Sequence, residues 1–243
     1  MSGGTHNKLT VDDKYSFSFD GIDEYVDTGL ATNDANFSGE FSITCWVKVP
    51  SSIPGDHYLL GSRSGDHGIY AYIGNSSGRP AFCLKSEIAD SSNALCLTDI
   101  RGEGWCLIVN VCKIDNGIYK AFNSVNGSDL DTFNTLGDGF VYNDMTNSNN
   151  QLLFKADYHN AYLEGQMSSI AYFSKALSQD EIDGLYANTT SPQEIGDLFL
   201  YYRMGDRGAD SLNPFGSAHL DAVAGSDGTP YNMEIGDITE DAP

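Results

Sequence analysis

The sequence predicts an all-β chain: two antiparallel sheets packed as a sandwich, with one short helix near residues 178–187. Three observations carry this. Apolar and polar residues alternate with a period of two through many short runs bounded by Gly, Asn, Asp and Ser, the pattern of half-buried strands. The period changes to that of a helix after Ser178, where Glu181 closes a capping box and Asp180 suits the positive helix end. Finally, 243 residues at 40% hydrophobic and 12% aromatic content suffice for one large β core and argue against disorder.

Taken in order, residues 1–14 are polar and read as an N-terminal arm. Residues 15–19 form a first strand turned by Asp20-Gly21, and residues 24–28 a second. Phe41, Ile43, Cys45, Val47 and Val49 alternate with Ser42, Thr44, Trp46 and Lys48 as a half-buried strand. Residues 58–63, 68–73 and 79–85 read as successive strands, with 95–97 a short edge. Residues 123–150, rich in Asn, Asp, Ser and Gly, form a rim loop around a weaker strand at 140–142. The run 152–155 leads to a strand over 167–173. Ala176, Leu177, Ile182, Leu185 and Tyr186 then line one side of the helix. Residues 199–203 are the last regular strand. The sandwich therefore spans 15–205, and 206–243 form an irregular extension, mobile by composition unless it packs on the sandwich or a neighbour.

The strand 105–112 differs from the others. Trp105, Leu107, Val109 and Val111 face one way, and Cys106, Ile108 and Cys112 face the other, interrupted only by Asn110. A strand apolar on both faces is covered on both, whereas one face of a two-sheet sandwich ordinarily meets water. The expected cover is the C-terminal extension or a second subunit. Cys106, Ile108, Cys112, Phe215 and Leu220 are accordingly the candidate assembly contacts, in a homo-oligomer or a larger shell.

Composition excludes several function classes. A net charge of −21, from 34 acidic and 13 basic residues, argues against nucleic-acid binding, which needs Lys and Arg against phosphates. No run of 18 apolar residues suggests a membrane span, and the N-terminal stretch lacks the apolar segment of a signal peptide. The chain reads as one made and kept in a cytosol. Five cysteines, with no C-x-x-C or zinc spacing, agree with reduced, buried thiols.

Four segments, in order, resemble one family. YSFSFDGIDEYVDTG (15–29) is similar to an opening F-D-G-x-D-D-Y-V, and FSITCWVKVP (41–50) to a core strand F-T-x-x-x-W-V. GWCLIVNVCKIDNGIYKAFNSVNG (104–127) is similar to a W-x-x-V…Y-x-N-G hairpin, with Phe122-Asn123-Ser124 where a plainer strand is usual. EGQMSSIAYFSKALSQDEIDGLY (164–186) is similar to a closing Gly, strand and A-L-S-x-x-E-I. Together they resemble the laminin-G-like, concanavalin-A-like jelly-roll family. That fold carries lectins, glycosidases, adhesion modules and virion proteins, so the resemblance implies the fold more than the function.

The resemblance sets what to look for. Glycosidases on this fold use an E-x-D-x-x-E strand. The nearest match, Glu181-Ile-Asp183-Gly-Leu-Tyr186, ends in Tyr and reads as helix, so no enzyme is expected. The five histidines, His6, His57, His67, His159 and His219, are scattered, mostly in loops. The family often holds calcium at one sandwich edge. Asp66 and Asp157 fall near where such ligands would lie, against the simpler reading of two solvated loop aspartates. Tyr70 and Tyr72 share a strand face opposite Ile69, Ala71 and Ile73, as a platform for a glycan or for protein. An unsecreted, acidic, stand-alone domain resembles the virion surface modules of tailed bacteriophages, in head decoration or tail adhesion, assembled in host cytoplasm beside other virion proteins. The alternative is a carbohydrate-binding lectin domain, with calcium assisting.

Overall fold

The computed structural model describes residues 15–64, 67–74, 76–85, 91–130, 134–136, 149–156, 161–204 and 228–243. The strands in chain order begin with β1 (Ser16–Asp20), β2 (Tyr25–Ala31), β3 (Phe41–Lys48), β4 (His57–Ser64), β5 (His67–Ile73) and β6 (Pro80–Lys85). They continue with β7 (Ser91–Leu95), β8 (Trp105–Asp115), β9 (Ile118–Val125), β10 (Asn134–Leu136), β11 (Asn150–Leu153) and β12 (Lys155–Ala156). The last are β13 (Ala161–Tyr162), β14 (Glu164–Phe173), β15 (Leu198–Arg203), β16 (Thr229–Tyr231) and β17 (Ile238–Thr239). One α-helix, α1 (Gln179–Tyr186), stands among the described residues, between β14 and β15. No helix among them is long and apolar enough to cross a membrane.

Two antiparallel sheets result. The first has the order β17-β1-β14-β3-β8-β9, with β15 beside the second half of β14; the second has the order β10-β7-β6-β5-β4-β11-β2-β16. Local chemistry sets the turns. Asn116 and Gly117 both take positive φ, 52° and 80°, which gives the tight two-residue β8–β9 hairpin that Asn-Gly favours. Between the sheets lies a core that includes Phe17, Ile43, Cys45, Leu60, Phe82, Ile108, Tyr172 and Tyr202. All five cysteines are buried and none forms a disulfide, and burial pushes the Cys45 thiol up to about 12. Asn123, which departs from a plain strand pattern, donates across the core to the carbonyls of Pro80 (3.1 Å) and Ala94 (3.4 Å). It is a polar tie between the sheets.

The helix resolves the two-faced strand. Ser178 and Glu181 form the capping box, and Leu177, Ile182 and Leu185 pack with Leu107, Val109, Val111, Phe173 and Tyr201 on the outer face of the first sheet. Cys106, Ile108 and Cys112 are 1%, 0% and 0% exposed and point into the inter-sheet core. Their assignment as assembly contacts is therefore corrected. The second apolar face of β8 is the one carrying Leu107, Val109 and Val111, and it is covered within the chain by α1. No partner is needed there.

Residues 228–243 also depart from the mobile tail that composition suggests. They run as a strap across one side of the sandwich. Within it β16 pairs with β2 at the edge of the second sheet and β17 pairs with β1 at the edge of the first. The Ser16 and Thr239 hydroxyls share a hydrogen bond at 2.9 Å. Asp241 accepts from Lys48 Nζ (2.6 Å) and from Trp105 Nε1 (3.1 Å), and these bonds hold its carboxyl below the ordinary range. The strand expected at 95–97 ends at Leu95 instead, and Leu97 is 70% exposed. The strand expected at 140–142 lies outside the described residues.

Candidate functional site

Two surfaces carry side chains arranged for binding. The first is the outer face of the second sheet. Alternation along β5 sends Ile69, Ala71 and Ile73 into the core, fully buried, and leaves Tyr70 and Tyr72 half-buried on the outside. Tyr58 on β4 stands opposite Tyr72, brought to that position by a register shift before Leu60. The three rings form one array, with centroids 5.6 Å apart for Tyr58–Tyr72 and 6.2 Å for both Tyr58–Tyr70 and Tyr70–Tyr72. Around them the register places Gly61 and Cys83 beside Tyr70 and Ala81 beside Tyr72. Tyr58 is only 5% exposed and backs the other two rings, so the accessible part of this aromatic ridge is Tyr70 and Tyr72 above a floor of small side chains. Burial pushes the Tyr72 phenol up to about 12, so its hydroxyl stays a donor at every physiological pH.

A second aromatic group on this sheet packs against the strap. The Tyr25 ring is stacked with Tyr231 of the strap at 4.6 Å and 5°, and Lys155 Nζ lies 4.3 Å from its centroid.

The second surface is a pocket of about 430 Å³ on the first sheet, where β1, β3 and β14 meet the strap. Ser18, Asp20, Lys48, Glu164 and Gln166 supply its polar groups; Phe19, Val49, Pro50 and Gly165 complete it. Its strands are fixed from behind. His57, expected as a loop residue, lies on β4 at 3% exposure, and its Nδ1 accepts the Glu164 N–H at 3.1 Å. Burial lowers its pKa, consistent with a neutral ring in that role. Nearby, Glu24 is 7% exposed and accepts the Asp20 N–H at 2.6 Å. Burial, opposed in part by that bond and aided by Asp237 and Asp20, raises its carboxyl to about 7.

Asp66 and Asp157, the calcium candidates, lie outside the described residues, as do Phe215 and Leu220. Among the described residues no group of three or more His, Cys, Asp or Glu side chains is arranged to hold a metal. The nearest match to a glycosidase motif is structural: Glu181 caps α1 and pairs with Lys175, while Asp183 accepts from Gln179 at 2.8 Å. Reading the sequence alone missed Tyr58 and the whole pocket. Tyr58 joins the ridge only through a β-bulge, and the pocket assembles side chains from distant strands.

The comparisons agree with this architecture. The family model Laminin_G_3, described as the concanavalin A-like lectin/glucanases superfamily, matches residues 20–183. A crystal structure from Bacteroides ovatus ATCC 8483, provisionally described as carbohydrate-binding, superposes with a TM-score of 0.61 at 14% identity, over 93% of this chain and 59% of its own. The sialidase CBM40 of Ruminococcus gnavus bound to α2,6-sialyllactose gives a TM-score of 0.51 at 17% identity, over 70% of this chain and 96% of its own. The binding domain of botulinum neurotoxin DC in complex with SialylT gives 0.50 at 14% identity, over 72% and 46%. This chain therefore spans only 59% of the Bacteroides protein and 46% of the neurotoxin domain. At such identities the likeness is one of fold. No curated protein sequence matches the chain significantly. The family match runs from the end of β1 to α1 and takes in strands of both sheets: the chain belongs to the Laminin_G_3 family of the concanavalin A-like lectin/glucanases superfamily.

Proposed function

We propose that the protein is a non-catalytic carbohydrate-binding module whose Tyr70 and Tyr72, backed by the buried Tyr58, receive a glycan. The observation that carries this reading is the ridge itself: three rings within 6.2 Å of one another, on rigid strands, above Gly61, Ala81 and Cys83. Aromatic rings offer the C–H faces of a sugar a flat apolar contact, and phenol hydroxyls supply the directional bonds beside it. Two of the fold neighbours named above were solved with sialyllactose and SialylT bound, which favours binding to sugars over other uses of the fold. The other reading, a virion surface protein, rests on the likeness of an unsecreted, acidic, stand-alone domain to phage surface modules, and the fold neighbours favour carbohydrate binding over it. The outer face of β8 lends it no support, because α1 covers that face.

The test is a glycan array followed by titration of the best ligand. Tyr70→Ala and Tyr72→Ala should each weaken binding about tenfold or more, roughly 1.4 kcal/mol, without lowering the melting temperature by more than a few degrees. A protein that binds no glycan, or binds one equally well in both variants, would sink this reading.

A further inference from the structure

We propose that the pocket of the first sheet is a second ligand site, built for an uncharged sugar residue and closed to sialic acid. Ser18, Gln166, Lys48 and Trp105 are successive lateral neighbours across β1, β14, β3 and β8. Because Phe17, Met167, Val47 and Cys106 point into the core, alternation turns this row outward. A hydroxyl, an amide, an ammonium and an indole N–H thus stand side by side on one face. Two residues along the strands from Ser18 and Gln166, Asp20 stands opposite Glu164.

The strap fixes these groups in advance. Asp241 holds Lys48 and Trp105 together, and Gln166 Nε2 donates to Thr239 Oγ1 at 3.0 Å. The Gln166 carbonyl oxygen is left as an acceptor. A volume of about 430 Å³ lies within the range of roughly 300–1,000 Å³ that ligand sites occupy.

The chemistry of the lining fits a polyol. Sugar hydroxyls both donate and accept. The carboxylates of Asp20 and Glu164 and the Gln166 carbonyl accept from them, while Lys48 and Ser18 donate. Val49 and Pro50 give an apolar wall for the C–H side of a ring. The same lining rejects an anion. Its two carboxylates face a single ammonium, and that ammonium is already paired with Asp241 at 2.6 Å. A sialic acid carboxylate would enter without a counterion, against a chain of net charge −21. The pocket would thereby read a different glycan class from those in the two sialyl complexes. It also lies on the other sheet from the tyrosine ridge, so one chain could hold two points of a branched or polymeric glycan.

The test is an NMR titration of the ¹⁵N-labelled full chain with methyl glucoside, methyl galactoside and methyl mannoside, and separately with N-acetylneuraminic acid. At least one neutral glycoside should shift the Gln166 side-chain amide, the Ser18 amide and the Trp105 indole N–H; N-acetylneuraminic acid should shift none of them. Glu164→Gln should abolish all three shifts, and Gln166→Ala those of the Ser18 amide and the Trp105 indole. Glu164 is exposed, and its backbone rather than its carboxylate bonds to His57, so the first variant keeps the fold. The proposal is overturned if no neutral glycoside moves these signals, if N-acetylneuraminic acid moves them as strongly, or if both pocket variants still respond. Shifts that vanish in Tyr72→Ala and persist in Glu164→Gln would assign all binding to the ridge and likewise overturn it.

Discussion

The ring of Tyr186, at the last turn of α1, lies 6.2 Å from the ring of Trp46 on β3 with 24° between their planes. This stack pins the helix to the outer face of the first sheet at its C-terminal end, as the Lys175–Glu181 pair does near its start. Between the two, Ile182 and Leu185 press on β8. The cover is thus anchored at both ends and apolar in the middle.

Removing that middle should be costly. Ile182 is fully buried, and truncating a buried Ile to Ala costs roughly 2–5 kcal/mol. Ile182→Ala should lower the urea midpoint accordingly and expose apolar surface on β8, read as dye binding or self-association. A variant as stable and as monodisperse as the parent would show that α1 does not protect the sheet.

Burial of Glu24 predicts a pH dependence whose sign can be worked out. Its carboxyl is raised from 4.5 to about 7, so the folded state binds this proton more tightly than the unfolded state. The stability it contributes is complete below pH 4.5 and is lost as pH rises through 7. Glu24→Gln mimics the protonated form. The variant should melt close to the parent at pH 5 and a few degrees above it at pH 8. A melting difference that does not change with pH would remove the effect.

The strap should matter more through its backbone than through its charges. Lys48 and Asp241 are 39% and 41% exposed, and pairs at such positions contribute at most about 1 kcal/mol. Asp241→Asn should therefore shift Trp105 fluorescence with little change in melting temperature. Deleting residues 228–243 strips a strand from each sheet and should produce a far larger loss, with aggregation. Equal effects from the two changes would contradict this ranking.

Much of the architecture was legible because its cues are local. Period-2 alternation marks β3, β5 and β14, and Ser178 with Glu181 marks the helix start. What failed was assignment of partners. Alternation in β8 reveals two apolar faces, but not that Leu107, Val109 and Val111 meet a helix more than seventy residues away. The same limit applies to the sites. Tyr70 and Tyr72 are visibly on one face, whereas Tyr58 joins them through a bulge that no side-chain pattern announces. Lys48 and Asp241 are 193 positions apart, and β16 and β17 are held by short backbone pairings that leave no periodic trace.

The strap also sets the order of events at the ribosome. Ser16 and Thr239, which meet in the finished fold, are 223 residues apart, so one of the earliest strands waits for one of the latest. Until residues 228–243 have been synthesised, β1 and β2 lack the strands β17 and β16 that border them, and each offers an open backbone ladder to any neighbouring nascent chain. Contacts of such long separation form slowly. A stalled or prematurely terminated chain would carry both open ladders at once, and translation of the strap is the step that ends that exposure.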